Sequence, residues 1–195
     1  AGHARDDPMT ATLSEASTSP STSRRDADTA PRSTLDPSPE VADVVVIGSG
    51  FSGLAAALEA AERSGGKARV LVLEKMGAPG GNSVIDEGML SVANSPQQSA
   101  RHIADSPDLL ANDMLENGEH LNDPSKVNYV ALHSEALYDW TTKRLGVEWL
   151  PIVTWAGGHS VPRTLTVRTG SGREIYEKLI RAVRESGVEI RLNAY

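Results

Sequence analysis

Asp43-Val44-Val45-Val46-Ile47-Gly48-Ser49-Gly50-Phe51-Ser52-Gly53 decides how this chain is read. The β-branched run Val44 to Ile47 leads straight into three glycines spaced GxGxxG. Such a run is expected to form a parallel strand buried on both faces. Gly48 lets the chain turn off that strand. Gly50 leaves room for a diphosphate against the backbone, and Gly53 lets the next helix lie close to the strand. The Ala-rich segment from Phe51 to Arg63 is predicted to be that helix, with its positive end aimed at the phosphates. Gly65-Gly66 stops it. Arg69 to Leu73 form a second strand, and Glu74 follows it, 21 positions after Gly53. A carboxylate there accepts hydrogen bonds from ribose hydroxyls and disfavours a 2′-phosphate. GxGxxG alone marks many glycine-rich turns. Strand, helix, strand and acid in this order mark a dinucleotide-binding βαβ unit.

A second glycine loop follows the acid: Lys75-Met76-Gly77-Ala78-Pro79-Gly80-Gly81-Asn82-Ser83. Gly80-Gly81 again permits close backbone approach, while Asn82 and Ser83 add short hydrogen-bonding side chains. An ordinary Gly/Pro surface turn is the bland reading. A loop placed just after the ribose acid resembles flavoproteins, in which it lies near the FAD pyrophosphate and ribityl chain.

The string GSGFSG, then EK…GGNS, then Gly88-Met89 resembles the FAD domain of soluble fumarate reductases and flavocytochrome c flavoproteins, relatives of the succinate dehydrogenase flavoprotein. Gly157-Gly158-His159-Ser160-Val161-Pro162-Arg163-Thr164 strengthens the likeness. So do Asp105 to Leu110, Asn122-Asp123-Pro124, and Asp139-Trp140 before Leu145-Gly146-Val147. The resemblance covers roughly 43–195 and implies an α/β fold: the N-terminal half of a Rossmann-like FAD-binding domain with a central parallel sheet. It implies FAD as cofactor, held by Gly48, Gly50, Phe51, Ser52, Gly53, Glu74, Lys75, Gly80, Gly81, Asn82, Ser83, Gly88 and Met89. Two departures stand out. The spacer Val84-Ile85-Asp86-Glu87 carries two acids where relatives have a small, glycine-rich run. Leu165-Thr166 stands where some relatives continue with His-Arg.

The implied reaction is hydride transfer from reduced FAD to the β-carbon of an α,β-unsaturated carboxylate, with fumarate to succinate as its type. The family's proton donor and substrate-clamping groups belong to a capping domain later in the chain. No catalytic residue is therefore assigned here, and the segment is expected to be incomplete alone. Capping domain or electron donor could reside on a second chain. A non-catalytic subunit keeping the fold for assembly, and a NAD-binding Rossmann domain, are the alternative readings.

Elsewhere the pattern is plainer. Residues 1–40 hold 13 Ser/Thr and 5 Pro, too few apolar side chains to offset ordering entropy, and read as a disordered tail. Residues 41–195 carry the FAD-binding portion. The net charge of −7 gives no footprint for nucleic acid, and no apolar run is long enough to span a membrane. Cysteine is absent, which excludes thiolate metal sites; no metal site is assigned. Seven acids in the tail argue against an organelle transit peptide and leave export and the cytoplasm both open.

Asp123-Pro124 starts a helix, with Val127, Val130, Ala131, Ser134, Leu137, Thr141 and Leu145 on one core-facing stripe. Val147 to Leu150 is predicted as a short strand. A helix from about Glu174 to Glu185 precedes a strand carrying Val188, Ile190 and Leu192. His159 and Arg163 have two readings, a site that pairs a dicarboxylate or an ordered structural loop, and the second is preferred. His102, His120 and His133 read as surface residues, and His3 lies in the tail.

Overall fold

The structure, a computed structural model, describes residues 40–195. The expectation for the tail therefore lies outside the described residues, Glu40 apart. β1 (Val44–Ile47) runs into α1 (Phe51–Arg63), which returns the chain to β2 (Val70–Leu73). The strands pair in parallel, Val44 opposite Val70 and Ile47 opposite Leu73. α1 ends where its glycines dictate. Gly65 and Gly66 both take positive φ, and their amides donate to the Glu62 and Ala61 carbonyls at 2.9 and 3.0 Å, closing a Schellman motif.

A long excursion follows. A single 3-10 turn (Gly81–Val84) leads to β3 (Met89–Ser91), then α2 (Pro96–Ser99), α3 (Pro107–Asn117), α4 (Pro124–Leu132), α5 (Ser134–Lys143) and β4 (Thr164–Thr166). β4 pairs antiparallel with β3. Ser106 caps α3 and Asp123 caps α4, each followed by Pro at the first helical position. α3 and α4 bury Leu110, Ala111, Val127 and Ala131 against Ala93 in a small core of their own. The chain then re-enters the main layer through α6 (Gly172–Glu185) and β5 (Glu189–Arg191). β5 adds to β2 in parallel, giving the order β1–β2–β5. α1 and α6 cover one face of this sheet, packing Leu54, Ala57, Leu58, Leu179 and Val183 over Val70 and Val72. Leu54 and Leu58 are fully buried, and each such side chain contributes about 1.5–3 kcal/mol.

Three expectations need correction. β1 is not buried on both faces: Val44 and Val46 meet the core, but Val45 and Ile47 are 51% and 87% exposed. The helices lie on one side only, and among the described residues nothing covers β1 on the other. The helix beginning at Pro124 does not run on to Leu145. It breaks at His133 (φ −98°, ψ 7°), because the buried Ser134 hydroxyl donates to the Ala131 carbonyl (2.9 Å) and accepts the Ala93 amide (3.2 Å). That local bond competes with helix continuation, and it leaves Val130 and Leu137 exposed. The strand expected at Val147 to Leu150 is reduced to one bridge between Trp149 and Val167.

Candidate functional site

The two glycine loops leave the carboxyl ends of β1 and β2 and are fastened to each other by a buried polar junction. Ser49, fully buried, is its centre. Its amide donates to Glu74 Oε2 at 3.0 Å, its hydroxyl donates to the same oxygen, and its Oγ accepts the Gly80 amide at 2.9 Å. Glu74 Oε1 accepts the Met76 amide at 2.8 Å. The Ser49 hydroxyl, with the Met76 and Ser49 amides, holds the Glu74 carboxyl below the ordinary glutamate range. Glu74 thus turns its carboxylate inward and ties the loops together. A carboxylate has about four acceptor positions, and the Ser49 amide and hydroxyl and the Met76 amide take three of them.

A second bond crosses between the loops. Ser83 Oγ accepts the Phe51 amide at 3.0 Å. That amide is the first of α1, whose N-cap, Gly50, has no side chain of its own to offer. The next two amides, of Ser52 and Gly53, donate to no other described residue. They point from a helix N-terminus, where the aligned peptide dipoles favour an anion. Close approach is built in twice. A Cβ on Gly53 would stand 2.0 Å from the Gly48 carbonyl oxygen, and one on Gly50 would stand 3.2 Å from Ser83 Oγ, in the gap between the loops.

The remaining residues expected at the site lie around this cradle. Gly80 and Gly81 take positive φ at its rim. Lys75 and Asn82 are exposed beside it. Gly88, also at positive φ, leads into β3, and its amide donates to Asp86 Oδ1 at 2.6 Å. The Asp86 carbonyl accepts the Gly172 amide at the start of α6. The acidic spacer is therefore an anchor for its own loop. Phe51, Ser52 and Met89 share the wall of an apolar cavity of about 320 Å³ with Trp140, Trp149 and Leu179. Two members of the junction were missed in the sequence. Ser49 stood unremarked at a variable position of the motif. Tyr176, which packs under Gly80, was hidden in the apolar stripe of α6.

Arg163 lies apart and is fully buried. It grips Asp105 with two parallel bonds, Nε to Oδ2 (2.9 Å) and Nη2 to Oδ1 (2.8 Å), and also pairs through Nη1 with Asp113. Burial pushes the Asp113 carboxyl up, but the Ser160 amide and Arg163 outweigh it and hold the group low. Burial and the Arg163 charge push the pKa of His159 down, favouring its neutral form. This cluster pins the Gly157-to-Thr164 segment onto α3, which is the structural role the sequence favoured. His102, His120 and His133 are exposed, also as expected. Among the described residues no cluster of His, Asp and Glu is placed to hold a metal ion, and no helix is long and apolar enough to cross a membrane.

Paired glycine loops, free helix-terminal amides and an acid at the end of β2 define a dinucleotide-binding fold of the flavoprotein kind. The free Ser52 and Gly53 amides, beside a gap that a Cβ at Gly50 would enter, fit a diphosphate. The family model described as "FAD binding domain" matches residues 43–195, so this chain belongs to that family and its cofactor is FAD. It is 40% identical over 137 residues to urocanate reductase of Eggerthella lenta, covering 70% of this chain and 22% of that protein. It is 38% identical over 147 residues to the acrylate reductase flavoprotein subunit of Shewanella woodyi, covering 75% and 28%. A flavocytochrome c3 fumarate reductase in its open conformation superposes with a TM-score of 0.70 at 31% identity, over 78% of this chain and 26% of that one. The chain thus spans about a quarter of the length of these relatives.

Proposed function

We propose that this chain supplies the FAD-binding portion of an oxidoreductase that reduces the C=C bond of a small α,β-unsaturated carboxylate. The junction of the two loops, Gly80 to Ser49 and Phe51 to Ser83, is the observation that carries the cofactor part. The similarity to reductases named for urocanate, acrylate and fumarate supports the substrate class. FAD, when bound, supplies the hydride. The protein's share here is to bind and orient it. The helix-terminal amides receive the diphosphate, Glu74 keeps the loops in register while offering acceptor capacity to the ribose, and the Gly88-Met89 turn forms the far wall.

Arg163 takes no part in substrate binding in this reading, because its guanidinium is bonded to two aspartates inside the fold. The groups that bind substrate and deliver its proton are assigned to a capping domain outside residues 41–195, in this protein or on a second chain. The test has two stages. Fluorescence titration of the 195-residue chain with FAD should give weak binding or none, since the chain spans only about a quarter of the length of its relatives. The whole protein should bind FAD and oxidise a reduced viologen in the presence of fumarate, urocanate or acrylate. A flavin-free whole protein would refute the proposal, and so would inertness toward all three acids.

A further inference from the structure

Among the described residues, Tyr176 is the one at the loop junction whose polar group stays unused. Its side chain is 5% exposed, and its ring lies tilted against Phe51 with centroids 6.3 Å apart. Its Cζ would be 3.0 Å from a Cβ built on Gly80, and Val84 Cγ1 stands at 2.7 Å from the same point. The hydroxyl lies close enough to Ser49 for its side chain to act on the phenol's acidity, yet it completes no hydrogen bond of normal geometry. A buried hydroxyl without a partner is unfavourable, and phenylalanine would fill the same apolar space without that penalty. Burial also pushes the hydroxyl's pKa up, so it remains a donor across the physiological range.

The neighbours show what it could donate to. Ser49 Oγ has two acceptor positions and one occupant, the Gly80 amide. That amide belongs to the second glycine loop, on the rim of the diphosphate cradle. Were it to swing outward to a phosphate oxygen, Ser49 Oγ would lose its only donor while buried against Glu74. We propose that Tyr176 is a stand-in donor: it takes over Ser49 Oγ when the Gly80 amide turns to the cofactor's diphosphate, so the loop can engage the ligand without stranding the junction. Tyr176 is then a positioning residue for cofactor binding, acting through Ser49 and touching no ligand. This inference rests on reading the cradle as a diphosphate site.

The test is Tyr176→Phe in the whole protein, stripped of flavin, with affinities for FAD and for ADP measured by titration and unliganded stability measured by urea unfolding. ADP carries the diphosphate without the flavin. Loss of one neutral hydrogen bond present only in the complex should weaken both ligands by about five-fold, while leaving unliganded stability unchanged or raised. Ser49→Ala, which breaks the junction in both states, should lower stability and affinity together. Equal affinities for the unaltered protein and Tyr176→Phe would overturn the proposal, as would a loss confined to FAD or a fall in unliganded stability. Failure of the unaltered protein to bind either ligand would instead refute the diphosphate reading itself.

Discussion

Two buried polar clusters sit in this fold, and they differ in what they leave over. Around Arg163 the charged groups turn on one another, and only the neutral Nδ1 of His159 and Oγ1 of Thr164 are left without a partner among the described residues. Its guanidinium meets Asp105 and Asp113, the Ser160 amide and hydroxyl converge on Asp113, and the Gln98 amide closes on Asp105 and the Pro162 carbonyl. Around Ser49 the bonding is incomplete. Two helix-terminal amides face outward and a tyrosine hydroxyl is idle. A cluster whose charges are all paired inside the fold holds a loop. One that keeps donors in reserve is prepared for a ligand. The contrast separates a clamp from a cradle more reliably than residue type does, since arginine is the residue a sequence reader would first give to a carboxylate substrate.

Substitutions can break that contrast. Arg163→Met should have the largest effect, because it strands two buried carboxylates: about 3–5 kcal/mol in urea unfolding. A loss below about 1 kcal/mol would mean the cluster is well hydrated and the arginine available to a ligand. Gly53→Ala comes next. Its Cβ meets the Gly48 carbonyl oxygen at 2.0 Å, and overpacking of this sort costs about 1–3 kcal/mol. FAD binding by the whole protein should disappear with it, and retained affinity would show that the first loop can move aside. Ser83→Ala removes the only side-chain acceptor that the described residues offer at the start of α1, worth about 1 kcal/mol as a helix cap. An unliganded protein unchanged in stability would put Ser83 on the ligand's side alone.

The smallest effect is in pH. Glu74 is held below its ordinary range in the folded state, so its stabilisation is present above the unfolded pKa and lost as pH falls through the folded one. Unfolding midpoints should decline on acidification below the ordinary glutamate range, and Glu74→Gln should flatten that slope. A Gln variant with the same acid slope would assign the loss to Asp113 or another carboxylate.

Much of the fold was legible because local rules and tertiary packing agree there. β1, α1 with its glycine stop, β2, and the capped start of α4 all lie where the residues put them. The misses have separable causes. A β-branched run says that a strand can be buried, not that partners on both sides are at hand, and Val45 and Ile47 show the difference. The break at His133 depends on Ser134 reaching back to Ala93, 41 positions away, a contact that no periodicity registers. At the site, glycine spacing identified the loops, because only glycine tolerates those approaches. Ser49 and Tyr176 could not be singled out, since serine at a variable motif position and tyrosine in an apolar helix stripe look like filler until the chain folds. The place of Glu74 at the end of β2 was legible, but its inward bond to Ser49 was not.

β1 carries a further consequence. It pairs with β2 along one edge only among the named strands, and it shows Ile47 almost bare on the uncovered face. Strands with an open edge and apolar side chains tend to join their own kind. The isolated 195-residue chain should self-associate as its concentration rises, with light scattering rising accordingly. Replacing Ile47 with lysine should delay that onset.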